Sequence, residues 1–280
     1  MTQKPHKGRA VNRCAIKILG EFGICLLVAG FMLSVFVYAY NSDRFTLRKV
    51  TFYGTKELDI RNLEFIVRHD FPANILHINL RQLQIRLEHE TWAKRVEIRR
   101  VLPSELLIYI QERSPSVILE MNGKLMIADD DGVLLDSYDS RYGKLDVPVF
   151  TGVLGKNAES YRMNQAENAA RISQGLRMLS EVEAGLPQYT LNISEVDISD
   201  KNNLKIVLVD DTAEVLLGDR DFLKRFQTLM SNKDQYRELK AQYSDFKSVD
   251  LRFDGQIIYR PRNTTAGLSG GIDKDYGVLR

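Results

Sequence analysis

Several stretches of this 280-residue chain carry residue types at spacings that chemistry uses. Gly267-Leu268-Ser269-Gly270-Gly271 has the G-x-S-x-G spacing of a nucleophilic serine. That serine works only on a strained turn between strand and helix, with a histidine later in the chain to take its proton. The stretch lies instead in a Gly/Thr/Ser-rich tail, and no histidine follows His89. Asp129-Asp130-Asp131-Gly132 suggests calcium, but an EF-hand loop set on Gly132 needs ligands where Ile127 and Tyr138 stand. The aspartates and glycine fit a turn between strands better. His69, His77 and His89 come without an HExxH or carboxylate spacing, which favours surface or helix-end histidines. Gly152 to Lys156 is two residues short of a phosphate-binding loop and runs into Asn157. Cys14 and Cys25 are the only cysteines, so cysteine catalysis and Cys-based zinc sites are excluded beyond residue 25. No catalytic set, metal site, cofactor site or small-molecule substrate site emerges, and the chain reads as a non-enzyme.

The charge is unevenly spread. Lys4, Lys7, Arg9, Arg13 and Lys17 face no acid before Glu21, and residues 41–280 hold slightly more acids than bases. The overall charge of +2 therefore reflects a basic tail over residues 1–21, not a nucleic-acid-binding face. Phe22 to Tyr40 follows without a charge, and at about 1.5 Å per residue it matches the hydrocarbon thickness of a bilayer. Tyr38 and Tyr40 fall where interfacial aromatics belong. Val37-Tyr38-Ala39 would pass as a cleavage site, but the charged and apolar regions are both long for a signal peptide. The segment is expected to be a retained transmembrane helix over 22–40, with its basic side in the cytoplasm. The absence of cysteine after residue 25 suits the oxidising far side.

The rest is expected to be α+β. A strand over 44–54 has Leu47, Val50 and Phe52 inward. Asp59 caps a helix with Ile60, Leu63, Phe65, Ile66 and Val67 as its stripe, which Pro72 closes. Asn79 caps a second helix with Leu80, Leu83, Ile85 and Leu87. Two alternating strands, 93–102 and 105–113, join at Pro103-Ser104, and Trp92 before them reads as core. Further on come a hairpin over 125–136, a helix over 164–184 with Ala169, Ile172, Leu176, Leu179 and Val182 on one face, and three strands within 193–218. A helix over 220–240 leads to the final strand pair.

Trp92, Val96, Arg99, Pro103, Leu106, Glu112, Arg113 and Pro115 resemble the pattern of a POTRA domain, which adopts β-α-α-β-β order. LMIADDDGVLLD, VPVFTG and SVDLRF in this order resemble the FtsQ/DivIB family of bacterial cell-division proteins. The resemblance implies a transmembrane helix, a POTRA domain over 41–115, a mixed β-rich domain with flanking helices over 116–260 and a disordered tail over 261–280. It also implies a scaffold in the inner membrane at the septum, with a periplasmic C-terminal portion. Its partners would be the single-pass FtsB-like and FtsL-like division proteins, with no nucleic acid bound. Two other readings stay open. A POTRA component of outer-membrane protein transport or assembly would bring several POTRA units or barrel strands. An anchored cell-wall enzyme would bring a catalytic set.

The last strand pair, SVDLRFDGQIIYR, raises the question of a binding edge. Asp254-Gly255 is a hairpin signal, and an outer strand with unpaired N–H and C=O groups is a template for another chain. The resemblance implies that the FtsB-like contact lies here, with Arg252 and Phe253 at the family's Arg-Tyr positions. The expected partner-binding residues are Arg252, Phe253, Asp254, Gly255, Ile257, Ile258 and Tyr259. The orientation has a direct check: a reporter active only in the periplasm, fused after Arg280, should function. Activity there of a reporter that needs the cytoplasm would reverse the assignment.

Overall fold

The protein is described by a computed structural model over residues 9–143, 145–209, 211–243, 246–262 and 277–279. It divides after Glu112 into two compact units. In the first, helix α1 (Arg9–Asn41) carries a stretch from Gly20 to Asn41 long and apolar enough to cross a membrane. The large apolar side chains from Phe22 to Tyr40 are exposed, which suits contact with lipid.

After α1 come β1 (Lys49–Tyr53), α2 (Ile60–His69), α3 (Leu80–Glu88), β2 (Ala93–Val101) and β3 (Glu105–Glu112). β3 is the central strand, parallel to β1 and antiparallel to β2. Asp59 and Asn79 cap their helices as expected: Asp59 accepts from the Arg61 N–H, and Asn79 from those of Arg81 and Gln82. Leu63, Ile66, Val67, Leu83 and Leu87 are buried in one core with Val96, Leu106, Ile108 and Ile110.

The helical stripes are narrower than the apolar sequence suggests. Ile60, Phe65 and Ile85 are exposed. Phe65 is two residues from both Leu63 and Val67, about 200° round the helix, so it points away from the sheet and stacks on His69. Ile85 bears the same relation to Leu83 and Leu87. Trp92 is another correction: it is only half-buried, in the turn between α3 and β2.

The second unit runs β4 (Val117–Met121), β5 (Lys124–Ala128), β6 (Leu134–Ser137), β7 (Val149–Thr151), α4 (Ala158–Met163), α5 (Gln165–Gly185) and α6 (Pro187–Thr190). It continues with β8 (Ile193–Asp197), β9 (Leu204–Leu208), β10 (Asp211–Gly218), α7 (Phe222–Ser231), α8 (Lys233–Tyr243), β11 (Phe246–Asp250), β12 (Ile257–Pro261) and β13 (Gly277–Leu279). Its strands form one ten-stranded sheet in the order β13-β12-β11-β10-β9-β8-β7-β4-β5-β6. Pairs β4–β7, β7–β8 and β10–β11 are parallel and the others antiparallel.

Helix α5 presents a different face from the one its leucines suggest. Asn168, Ile172, Gly175, Met178 and Val182 are buried, while Leu176 and Leu179 lie at the margin. Gly175 brings α5 onto the sheet: a Cβ there would stand 2.5 Å from the Phe150 ring. The buried Asn168 is satisfied by the Leu154 backbone, accepting at 2.8 Å and donating at 2.9 Å. The single helix expected over 220–240 is two, α7 and α8, joined at Asn232.

Consecutive residues at the boundary each serve their own unit. The Glu112 carboxylate accepts backbone N–H bonds from Lys56 (2.8 Å), Glu57 (3.0 Å) and Leu58 (2.9 Å). The Arg113 guanidinium reaches the fully buried Asp129 at 2.5 Å and Asp131 at 3.5 Å. Asp129 also accepts the Val133 N–H at 2.7 Å. Next to it the Gly132 carbonyl accepts from Tyr161 and Gln165, each at 2.7 Å. The aspartate run is thus a turn, held by Arg113 and docked beneath α4 and α5.

Removing one partner of a buried pair strands the other charge. Arg113→Ala should cost about 3–5 kcal/mol, whereas Trp92→Ala should cost less than the same range expected for a fully buried aromatic. Denaturant midpoints of the two variants check the ranking, which fails if Trp92→Ala is the more damaging.

Candidate partner-binding site

The predicted site lies at the β12 end of the large sheet. β11 is parallel to β10, with Val249 opposite Val215 and Asp250 opposite Leu216. β12 is antiparallel to β11, with Tyr259 opposite Val249 and Ile258 opposite Asp250. Val249, Leu251, Ile257 and Tyr259 are buried in the unit's core. Ile258 is half-buried, and its neighbours Ile257 and Tyr259 point to the opposite face, as strand alternation requires.

Between the strands the structure departs from the expected two-residue hairpin. β11 ends at Asp250 and β12 starts at Ile257, so Leu251–Gln256 form a longer connection. Asp254 and Gly255 are the central residues of a β-turn closed by the Gln256 N–H to the Phe253 carbonyl at 3.2 Å. Gly255 has φ +70°, where an L side chain is strained. The turn lifts Phe253 off the sheet, and its side chain is 51% exposed.

Arg252 is engaged within its own chain. Its Nε and Nη2 donate to the two Asp250 oxygens at 2.9 and 2.6 Å, and its N–H donates to Oδ1 at 3.1 Å. This fork holds the guanidinium still further above its ordinary range. Arg225 of α7 reaches the Leu217 carbonyl at 2.5 Å and the Arg252 carbonyl at 3.4 Å. Lys224 and Asp254 form an exposed pair at 3.4 Å. These α7 contacts brace the turn and have no mark in the sequence. The cleft between turn and α7 has only about 20 Å³ of open space, far below a small-molecule site.

The outer side of β12 is not bare. β13 pairs with it antiparallel: Ile257 faces Leu279, Ile258 faces Val278 and Tyr259 faces Gly277. Residues 277–279, expected within a disordered tail, are therefore a strand. Val278 and Leu279 are the apolar signal that could have revealed it. Among the described residues, Asp129, Asp130 and Asp131 are the one group of acids and histidines close enough to share a metal, and Arg113 already supplies the neutralising charge. The G-x-S-x-G stretch at 267–271 lies outside the described residues.

Family comparison agrees with this architecture. Residues 45–113 match the model of the POTRA domain, FtsQ-type. Residues 117–252 match the model of the cell division protein FtsQ/DivIB, C-terminal. The chain belongs to the FtsQ/DivIB family. The family gives it a role in the divisome, with divisome proteins as partners, as a single-pass inner-membrane protein of the division site. The cell division protein FtsQ of Koribacter versatilis is 26% identical over 90% of this chain and 72% of its own length. That of Geotalea daltonii is 23% identical over 92% and 91%, and that of Neisseria meningitidis 25% over 78% and 88%. The family match ends at Arg252, so the turn and β12 lie beyond it.

Tyr259 is almost fully buried, and its hydroxyl has no partner among the described residues. Burial pushes its pKa up to about 12. A phenol with a raised folded pKa gives stability that is whole below its unfolded pKa near 10 and is lost as pH climbs toward the folded value. Tyr259→Phe should therefore leave stability at pH 7 unchanged or higher and reduce the alkaline decline above about pH 10. Thermal unfolding across pH checks both; a clear loss at pH 7 would show that the hydroxyl is bonded.

Proposed function

We propose that this protein is a non-enzymatic, bitopic scaffold of the divisome. Its basic N-terminal side faces the cytoplasm and both folded units face the periplasm. There it binds an FtsB-like single-pass partner, and through it an FtsL-like one, at the β12 end of the ten-stranded sheet. The observation that carries this reading is the pairing of a strand-bearing sheet end with an aromatic that the adjoining turn leaves exposed, Phe253.

Each part has a distinct task. Backbone pairing at this end of the sheet, where β13 stands on β12, would supply hydrogen bonds to an extended segment that takes the place of β13 or adds beside it, whatever the segment's sequence. Side chains must supply selectivity, and Phe253 is of a kind with the desolvated aromatics that dominate hot spots. Ile258 points to the face opposite the core and would meet the partner's side chains. Arg252, forked on Asp250, shapes the turn that presents Phe253. Gly255 allows that turn its positive φ.

The test is affinity for the extramembrane part of the FtsB-like protein from the same organism, using the full chain in detergent. Phe253→Ala should weaken binding by about 2 kcal/mol, roughly thirtyfold. Ile258→Lys should weaken it as well, because a lysine on the edge opposes strand addition. Wild-type affinity in both variants, with folding intact, would move the site elsewhere.

A further inference from the structure

Helix α1 ends already fastened to the POTRA unit. The last turn of a helix carries carbonyls with no partner inside the helix. That of Tyr40 accepts from the Asn74 side chain at 2.9 Å, and the Asn74 side-chain oxygen accepts the Leu76 N–H at 2.9 Å. The rings of Tyr40 and His77 lie 3.8 Å apart. Two backbone bonds continue the join: the Leu47 N–H donates to the Ala73 carbonyl at 2.7 Å, and the Ile75 N–H to that of Phe45 at 2.8 Å. Leu47 and Ile75 belong to the POTRA core. Only residues 42–44 separate α1 from this join, and the Ser42 hydroxyl accepts the Arg44 N–H at 3.3 Å.

We propose that the groove between the end of α1 and the segment before α3 is a phospholipid site, through which the POTRA unit is seated on the bilayer surface. The groove is lined by Phe36, Ala39, Tyr40, Leu76 and His77, and its open space of about 340 Å³ is within the range of ligand sites. Its depth follows from the span. The apolar stretch from Gly20 to Asn41 is about as long as a hydrocarbon core requires, so Tyr40 stands at the edge of the bilayer and Phe36 about one turn deeper. Leu76 and His77 belong to the folded unit, yet they line the same groove as Phe36. The groove therefore lies at the bilayer surface and not in bulk water. Phe36, Ala39 and Leu76 offer an apolar wall to an acyl chain. Tyr40 and His77 place rings with polar tips at the level of the headgroups.

Two other occupants meet physical objections. Water in the groove would wet Phe36 and Leu76 beside the hydrocarbon, at a cost that an acyl chain removes. A partner's transmembrane helix would pack along several turns, whereas on α1 the groove covers the single turn from Phe36 to Tyr40. A lipid matches this short span, and the leaflet supplies it wherever α1 ends. The site requires only that α1 cross the bilayer, whichever side the folded units occupy. A unit joined through Asn74 and seated on lipid would keep its tilt to the membrane instead of swinging on a tether.

The experiment uses the full chain, with Cys14→Ser and Cys25→Ser, in vesicles of phosphatidylethanolamine and phosphatidylglycerol. A nitroxide is attached at Leu76→Cys or at Glu97→Cys, the latter an exposed position of β2 on the sheet face opposite the helices. The label at 76 should collide with oxygen dissolved in the membrane more than with a water-soluble nickel chelate, and the label at 97 the reverse. Equal nickel access at both positions would overturn the inference by showing water in the groove. Native mass spectrometry of the unlabelled chain, released in detergent, then counts retained phospholipid. Ala39→Trp fills the groove from α1, and Leu76→Asp makes its other wall polar. Each should retain one phospholipid roughly tenfold less, the weight of about two methylene contacts. Unchanged retention in either variant, with its circular dichroism intact, would overturn the lipid site. Exclusion of nickel at 76 that appears only when the FtsB-like protein is present would assign the groove to a partner and overturn it as well.

Discussion

The backbone of β12 must satisfy hydrogen bonds on both sides, and only one side is settled by the sheet's interior. An unpaired N–H or C=O withdrawn from water costs free energy comparable to a lost hydrogen bond, so an edge strand invites a partner. Everything at this end of the molecule bears on that requirement. β10 and β11 run parallel and carry the sheet up to β12. Ile257 and Tyr259 root the strand in the core, so it stays extended whatever lies beside it. Arg225 and the Asp250–Arg252 fork fix the preceding turn. The outer ladder is then a property of the fold, and what fills it decides the function.

A second constraint separates the two units chemically while the chain joins them. Glu112 gathers three backbone N–H groups of the POTRA unit, and Arg113 neutralises a buried aspartate in the β-rich unit. A carboxylate and a guanidinium side by side in sequence could have paired with each other. Each instead has a stronger demand of its own: unpaired amides before α2, and a carboxylate with no exposure to water. This gives the Glu-Arg pair of the sequence pattern a structural meaning in each unit.

Much of this was legible from the residues. The caps Asp59 and Asn79, the alternation of β2 and β3 and the aspartate turn all follow from local chemistry that the structure repeats. Phe65 and Ile85 are apolar yet exposed, because two residues along a helix is a turn of about 200°, which carries them away from their buried neighbours. The buried face of α5 differs from its leucine stripe for another reason. Gly175 carries no apolar signal, yet its missing side chain lets the helix approach Phe150, on the face that also buries Met178. At the candidate site, Asp254-Gly255 marks the turn, but the strand ends around it follow from the pairing of β11 with β10 and of β12 with β11, which no local pattern encodes. β13 is marked in the sequence only by Val278 and Leu279, too short a run to show the alternation of a strand.

The central claim is that a partner's extended segment pairs with β12. Hydrogen exchange of the full chain with and without the extramembrane part of the FtsB-like protein tests it most directly. The account predicts partner-dependent slowing at residues 257–260, with β2 and β6 unaffected. Slowing at β2 or β6, with 257–260 unchanged at saturating partner, would contradict it.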